Sequence, residues 1–307
     1  MHVQTVLGPV EPASVGQASM HEHIKCDFWK YHLELSYDGI LDDEDLLEAE
    51  LRSFRGTGGR TIVDATTIGI GRDPLGLVRL ARAADVQIVM GAGWYRERVY
   101  PSQVFDRTSN ELADVLIREF ADGVGTTGVR PGIIGEIGTE RSLVTAAQER
   151  VFRAAARAQR EIGASITTHT TYFGGLALEQ IAMLRREGVP PERIVIGHLA
   201  EQRSIADVLD VARTGGFIEV DHVGALQVQF QPEGQRVQNV VALVRAGHLD
   251  QLLLSMDICK RSQLRAHGGN GYGYLFRVFV PLLREAGLTE REVTTILVDN
   301  PRRVLAF

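Results

Sequence analysis

Short apolar runs rich in β-branched residues alternate with longer amphipathic stretches along the chain. Eight such runs are present, and each is followed by a stretch long enough to form a helix. A run that is apolar on both faces is typical of a strand in a parallel sheet, and repeated β-α units place such strands side by side. The predicted strands cover residues 17–24, 60–65, 86–91, 132–136, 164–168, 193–197, 216–220 and 251–256.

Eight β-α units predict a closed (β/α)8 barrel, a TIM barrel of the α/β class. Predicted helices cover residues 74–84, 109–122, 144–161, 176–187, 204–213, 238–246, 271–286 and 289–298, and an earlier one ends at Phe54 after a cap by Asp42 or Asp43. A short β-hairpin over residues 3–10 precedes the barrel, and no linker divides the chain, so residues 1–307 are predicted to be one domain. An open doubly wound sheet is the alternative, but no G-x-G-x-x-G motif follows the first strand.

Composition excludes several classes of protein. The net charge of −6 comes without a basic block, which argues against a nucleic-acid partner. Cys26 and Cys259 are too few for a disulfide framework, so free thiols and a reducing compartment are expected. The sequence has neither a secretory leader pattern nor a membrane-spanning apolar run. We therefore expect a cytoplasmic protein without a membrane partner.

Side chains that bind metal ions recur at the ends of the predicted strands. His21 and His23, within Met20-His21-Glu22-His23-Ile24, point to the same face of the first strand, because side chains alternate along a strand. Four further candidates end later strands: Glu136, His169, His198 and Asp257. Strand ends of this kind meet at one face of a barrel. Four imidazoles and two carboxylates exceed one tetrahedral ion, so the set predicts two divalent metals, best suited to zinc, with manganese, cobalt or iron as alternatives.

Seven stretches resemble the phosphotriesterase family of the amidohydrolase superfamily. They cover residues 20–24, 71–74, 135–139, 167–170, 196–198, 255–258 and 300–301. Residues 255–275, with Gly268-Gly269-Asn270-Gly271-Tyr272, resemble the phosphotriesterase homology protein subgroup in particular. The resemblance implies a (β/α)8 barrel, a binuclear zinc-type centre and a homodimer. By position, His21, His23 and Asp257 would hold the buried metal, and His169 and His198 the exposed one.

The position that bridges the two metals departs from many members of the family. Those members use a carboxylated lysine after the fourth strand, whereas Glu136 stands here and no lysine lies between Lys30 and Lys260. The subgroup also carries a glutamate there. A glutamate has two oxygens and the same formal charge as the modified lysine but a shorter arm. The activities of relatives with a bridging lysine can therefore be expected of this chain only in part.

The expected reaction is hydrolysis of a small-molecule ester or lactone. A hydroxide bridging two metals would attack the carbonyl carbon, with Asp257 as proton acceptor. The resemblance implies that His222 and Glu201 continue a proton relay from Asp257 and that Tyr95 faces the substrate oxygen. For each residue, the alternative is a structural role: a pocket wall for His222, a solvated helix start for Glu201 and rim packing beside Trp94 for Tyr95.

Substrate identity is left open by the sequence. Lys260, Arg261 and Arg265 follow the last strand and could bind an anionic group, or they could form a solvated helix face. Trp94-Tyr95 at a pocket mouth would favour a lactone. The alternatives are a phosphotriesterase, an amidase or deaminase of the same superfamily, and a non-enzymatic metal-containing binding protein. Specificity is expected to depend on the loops at residues 224–238 and 259–271.

Overall fold

The computed structural model describes residues 1–29, 36–171, 175–199, 204–226 and 231–307. Its strands β1–β12 lie at Val3–Thr5, Gly8–Val10, Gln17–Glu22, Cys26–Asp27, Ile40–Leu41, Gly59–Asp64, Gln87–Ala92, Ile133–Gly138, Ile166–His169, Ile194–Ile196, Phe217–Val220 and Leu252–Leu254. Its helices α1–α11 lie at Glu44–Gly56, Pro74–Ala84, Gln103–Asp106, Ser109–Asp122, Ala146–Ile162, Ala177–Arg186, Ile205–Ala212, Glu233–Arg245, Val280–Glu285, Glu290–Thr294 and Asn300–Leu305. No helix among these is long and apolar enough to cross a membrane.

Eight parallel strands form one sheet in the order β3, β6, β7, β8, β9, β10, β11, β12. This order follows the chain, as eight β-α units require, and confirms the predicted barrel. β1 and β2 pair antiparallel, with Val3 opposite Val10, which confirms the predicted hairpin. The predicted barrel strands match the observed ones to within a few residues.

Glu22 closes the sheet between its first and last strands. The N–H of His23 donates to the carbonyl of Ile258 (3.0 Å), and the N–H of Asp257 donates to the carbonyl of His21 (3.1 Å). Between these bonds, the fully buried Glu22 carboxylate accepts from the N–H groups of Met256 and Ile258, both at 2.9 Å. The Ser19 hydroxyl donates to the same carboxylate at 2.6 Å. This seam therefore joins residues 21–23 directly to residues 256–258.

The lower interior of the barrel is apolar. Side chains that point inward there form a buried cluster with the C-terminal segment: Val3, Val15, Ala18, Met20, Val63, Val89, Ile133, Val195, Phe217, Leu253, Val304, Leu305 and Ala306. A larger cluster lies between the strands and the surrounding helices. Polar side chains are thus concentrated at the opposite end of the barrel, where the strands end.

Helix boundaries follow local capping signals. Asp43, rather than Asp42, caps α1 by accepting from the N–H of Leu46 at 3.1 Å. Thr108 and Thr145 form capping boxes at α4 and α5. Each box satisfies backbone N–H groups that the first helical turn leaves without intrahelical partners.

The helices predicted over residues 238–246, 271–286 and 289–298 differ from the observed ones, the first in where it begins and the other two in containing π-helical turns. α8 begins earlier, at Glu233, because Pro232 sets the extended entry and Glu233 occupies the first turn. π-helical turns at Leu275–Phe279 and Thr295–Asp299 directly precede α9 and α11. Pro281 and Pro301 lie at the starts of those helices and cannot donate the regular hydrogen bond, which accounts for the change in pitch.

We expect Glu22→Ala to lower the free energy of unfolding by about 3–5 kcal/mol, because two buried backbone N–H groups and a hydroxyl lose their acceptor. Glu22→Gln should cost less, since its amide oxygen still accepts. Thermal and denaturant unfolding in the presence of a chelator measures this change without any contribution from metal. Glu179→Gln, an exposed helical position, is the matched control. Equal stability of Glu22→Ala and the parent protein would contradict the proposed role of the seam.

Candidate metal centre

The two histidines of the first barrel strand point into the upper end of the barrel. His21 and His23 are buried, at 0% and 1% exposure. His21 Nε2 lies 3.3 Å from Glu136 Oε2, and His23 Nε2 lies 3.2 Å from Glu136 Oε1. The intervening Glu22 points the other way, into the seam. His21 and His23 therefore share a face, as predicted, although β3 has a register irregularity between Ser19 and Glu22.

Glu136 lies at the centre of the cluster. It is carried by β8, and its two oxygens face different imidazoles. Oε1 faces His23, whereas Oε2 lies 3.1 Å from His169 Nδ1 and 3.7 Å from His198 Nε2 in addition to His21. A carboxylate whose Oε1 contacts His23 and whose Oε2 contacts His21, His169 and His198 reaches both groups of histidines, as a bridging ligand must.

Asp257 completes the group around the first-strand histidines. Its Oδ1 lies 3.4 Å from His23 Nε2 and 3.9 Å from His21 Nε2. His169 and His198 form a second group, with His169 Nδ1 2.8 Å from His198 Nε2. The six candidate ligands named from the sequence thus lie in one cluster.

Two of these six residues have left-handed backbone conformations. His198 has φ of +59° and Asp257 has φ of +50°, values that residues other than glycine rarely adopt. Such strain persists only where the surroundings hold it in place. At His198, the backbone N–H donates to Asp221 Oδ2 at 2.7 Å, and at Asp257 it donates to the His21 carbonyl. Strained residues held in this way are common at functional sites.

The electrostatics of the cluster couple imidazoles to carboxylates. Burial lowers the pKa of His23 and of His198, but their carboxylate neighbours raise these values to about 9 and about 10. For His169, burial and the charge of His198 lower the pKa to about 4. Burial would raise the pKa of Glu136 and of Asp257, yet contacts with histidines hold both well below the usual range. Imidazole protons and metal ions would therefore compete for the same atoms.

The donor set fits a pair of divalent metal ions. Groups that combine His21, His23 and Asp257, or His21, Glu136 and His198, bring their ligand atoms within 4.8 Å of one another. His21 Nε2 is buried and has no hydrogen-bond partner among the described residues. Neutral imidazoles with carboxylates suit zinc and similar borderline ions.

Comparison with known proteins identifies the family. A sequence model described as the phosphotriesterase family matches residues 1–305. The chain belongs to the phosphotriesterase family. Members of this family are hydrolases, so the predicted enzyme class is confirmed.

Three relatives illustrate the range of the phosphotriesterase family. The phosphotriesterase homology protein of Escherichia coli is 32% identical, with 93% of this chain and 96% of that protein covered. The N-acetyltaurine hydrolase of Salmo salar is also 32% identical, with 99% and 98% covered. The crystal structure of a lactonase from Listeria monocytogenes is 30% identical, with a TM-score of 0.93 and coverage of 100% and 99%.

The first step of the proton relay expected from this family has the required geometry. His222 Nε2 lies 3.2 Å from Asp257 Oδ2, and the His222 ring stacks on His198 at 4.8 Å between centroids. Glu201, the third member of the expected relay, lies outside the described residues. The relay role itself stays a prediction.

Tyr95 contacts a candidate ligand. Its hydroxyl lies 3.3 Å from His169 Nε2, so it faces the ring nitrogen opposite the one directed at Glu136. Trp94 is fully buried in the core and does not line a pocket mouth, so the sequence argument for a lactone from Trp94 was wrong.

The structure directs two of the three suggested anion-binding residues elsewhere. Arg261 pairs with Asp42 and lies over the Tyr37 ring at 4.1 Å. Arg265 donates to the Ser53 hydroxyl at 2.6 Å. Lys260 is half-buried beside these residues. Arg261 and Arg265 are thus engaged by neighbouring elements of the barrel rim.

A cavity of about 250 Å³ lies between the loops after β11 and β12. Its walls combine aliphatic side chains with uncharged polar ones: Val223, Gly224, Ala225, Leu226, Met256, Ile258, Ser262, Gln263, Gly269 and Asn270. Met256 and Ile258 flank Asp257, so the cavity adjoins the cluster. Both loops were predicted to set specificity, and the cavity wall they form carries no charge among the residues described.

Two buried acids at the end of β11 were missed in the sequence analysis. Glu219 Oε2 lies 3.3 Å from His21 Nδ1, and Asp221 Oδ2 lies 3.0 Å from His198 Nδ1. A signal was available: carboxylates at positions i and i+2 of an apolar strand end repeat the spacing of His21 and His23. The expected free thiols are also present, with Cys26 Sγ 3.7 Å from the Cys259 carbonyl oxygen.

Metal should stabilise this phosphotriesterase-family fold. At free zinc of about 100 times Kd, each site raises the free energy of unfolding by about 2.7 kcal/mol, because only the folded state assembles the ligands. Asp257→Asn should reduce this gain, and asparagine tolerates the left-handed backbone. Thermal unfolding with zinc and with chelator, alongside elemental analysis, measures the effect.

The matched control is His267→Gln, an exposed histidine outside the cluster. Its zinc-dependent stabilisation should equal that of the parent protein. An unchanged zinc response in Asp257→Asn would count against Asp257 as a ligand.

Proposed function

We propose that this protein is a binuclear-metal hydrolase that cleaves carboxylic esters or lactones. One observation supports the proposal above the others: Glu136 presents one oxygen to His23 and the other to His169, within a single buried cluster. The family membership supplies the hydrolase class. A barrel rim with an adjoining cavity also differs from a structural zinc site, which is normally closed.

His21, His23 and Asp257 would hold one metal, His169 and His198 the other, and Glu136 would bridge the two. When bound, two divalent ions lower the pKa of a water molecule and polarise the oxygen of the scissile carbonyl. We propose zinc as the metal on the strength of four imidazoles in the set. Residues 1–307 would form a single catalytic domain, and the homodimer and cytoplasmic location expected from the sequence stay proposals.

Asp257 and His222 would move the proton. The Asp257 carboxylate has one oxygen toward the histidine pair and the other 3.2 Å from His222 Nε2. A proton released when the nucleophile attacks can therefore be accepted at Asp257 and passed to His222. Glu201 would continue this path toward solvent. Tyr95 would hold the His169 ring, so that its Nδ1 faces Glu136, and its expected contact with the substrate oxygen stays a proposal.

The cavity beside the cluster favours a neutral substrate. Leu226, Met256 and Ile258 provide an apolar wall, whereas Gln263 and Asn270 offer uncharged hydrogen-bonding groups. Such a lining suits the acyl or ring portion of an ester or lactone. A neutral phosphotriester presents similar chemistry and is the second candidate. A third is amide hydrolysis, which the name of the N-acetyltaurine hydrolase relatives favours.

A substrate screen tests the proposed reaction. Zinc-loaded protein should hydrolyse lactones or aryl esters faster than phosphotriesters or N-acetyltaurine, as measured by kcat/KM. Glu136→Gln should lower kcat/KM by at least about 1,000-fold, equivalent to about 4 kcal/mol of transition-state stabilisation. His267→Gln is the control. Preferred hydrolysis of N-acetyltaurine would replace the ester proposal with the amide alternative.

The relay makes a separate prediction about leaving groups. His222→Ala should lower kcat for substrates with poorly leaving alkoxides by about 100-fold, because those groups depend on a delivered proton. Aryl esters, whose leaving groups depart without a proton, should lose less than about 10-fold. Full turnover of alkyl substrates by His222→Ala would remove His222 from the mechanism.

A further inference from the structure

Glu219 is a buried acid with no place in the proposed mechanism. It lies on β11, is 0% exposed, and is one of two carboxylates behind the candidate ligands. Its Oε2 lies 3.3 Å from His21 Nδ1, and its Oε1 accepts from the Ser255 hydroxyl at 3.4 Å. A buried carboxylate is costly unless something nearby compensates its charge.

The geometry assigns different tasks to the two nitrogens of His21. Nε2 faces Glu136 and Asp257, whereas Nδ1 faces Glu219 at 3.3 Å, with Asp221 Oδ2 further away at 3.9 Å. A neutral imidazole has one N–H and one lone pair, and an ionised carboxylate can only accept. The contact with Glu219 therefore places the proton on Nδ1 and leaves the Nε2 lone pair directed at the cluster.

The other candidate histidines differ in whether a carboxylate faces their Nδ1 atom. His23 Nδ1 faces the neutral Thr66 hydroxyl at 2.9 Å. His198 Nδ1 faces the charged Asp221 at 3.0 Å. His21 and His198, one in each proposed metal group, thus have a carboxylate behind them.

The carboxylates behind His21 and His198 would offset the positive charge of bound metal ions. Among the six candidate ligands, Glu136 and Asp257 carry the negative charge, so two divalent ions would leave an excess of two positive charges in a buried region, or of one with a hydroxide bound. In their ionised form, Glu219 and Asp221 would supply two negative charges directly behind the ligands. Carboxylates in this position also raise the basicity of the ligating imidazole.

We propose that Glu219 is a positioning residue that orients His21 and strengthens binding of the metal shared by His21, His23 and Asp257. The inference rests on the proposed binuclear centre. Because Glu219 contacts a ligand of only one of the two proposed metal positions, the zinc affinity of the other position serves as an internal reference.

Substitution of Asp221 would test the role of a carboxylate behind a ligand less directly, because Asp221 makes a second interaction. It also accepts from the backbone N–H of His198 at 2.7 Å, where φ is +59°. A substitution there would alter the strained backbone as well as the imidazole partner. The described hydrogen bonds of Glu219 go to side chains, so its substitution leaves the backbone bonding unchanged.

The test measures zinc affinity by competition with a chromophoric chelator. Glu219→Gln keeps the shape and an acceptor oxygen but removes the charge. We expect it to weaken one of two zinc sites by about 10- to 100-fold and to leave the other within about 3-fold. Glu50→Gln is the matched control, because Glu50 is also a buried carboxylate and accepts from the Ala266 N–H at 3.3 Å, away from the cluster.

A spectroscopic readout separates positioning from loss of structure. In zinc-loaded protein, the Nδ1–H proton of His21 should be strongly deshielded by the carboxylate and should shift upfield in Glu219→Gln. A purely structural role would leave this shift unchanged. If Glu219→Gln fails to fold, Glu219→Asp carries the test, since it retains the charge one methylene further away and should weaken the same site alone.

The outcomes distinguish this inference from the proposed function. Two zinc sites in the parent protein, with one weakened by Glu219→Gln, support both. Two sites of unchanged affinity in Glu219→Gln, with an unchanged His21 proton shift, overturn the role of Glu219 and leave the proposed function intact. Failure of the parent protein to bind stoichiometric zinc overturns the proposed function itself.

Discussion

The hydrogen-bonded seam between residues 21–23 and residues 256–258 is the constraint on which the rest of the site depends. His21 and His23 lie on one side of it, and Asp257 lies on the other. Because side chains alternate along a strand, a shift of one residue across the seam would turn either partner away from the cluster. Backbone hydrogen bonds and the Glu22 carboxylate fix this register at the level of the candidate ligands. Closure of the barrel and assembly of the candidate metal centre are therefore the same event.

Such a cluster is costly to the folded protein in the absence of metal. It buries imidazoles and carboxylates together and holds His198 and Asp257 in left-handed conformations, each worth about 1–3 kcal/mol of strain. The compensation lies lower in the barrel, where Met20, Val63 and Leu253 belong to an apolar layer sealed by the C-terminal segment. The chain thus separates the two tasks along the barrel axis: stability at the lower end, and strained polar chemistry at the upper end.

The sequence predicts those features that depend on local periodicity. Strand positions follow from β-branched runs, and the six candidate ligands follow from their place at strand ends. Features that depend on distant partners were missed. Arg261 was a plausible anion-binding residue until its partner Asp42, far away in sequence, was known. Glu219 and Asp221 were overlooked because their role depends on His21 and His198 from other strands. The π-helical turns before Pro281 and Pro301 require hydrogen-bond geometry that a helical pattern alone does not carry.

The leaving group is the point at which ester and amide chemistry would diverge at this site. The same polarised carbonyl serves both reactions, so the metal ligands do not choose between them. An amine must receive a proton before it can depart, whereas many alkoxides and phenoxides depend on that proton less. Under the proposed mechanism, the choice would rest on how well Asp257 and His222 deliver a proton, and on whether the cavity accepts the remaining group. The described residues around Leu226 and Asn270 are uncharged and offer no counter-charge to a sulfonate. Under the proposed function, selection for neutral acyl substrates would lie in the loops after β11 and β12 rather than in the metal cluster.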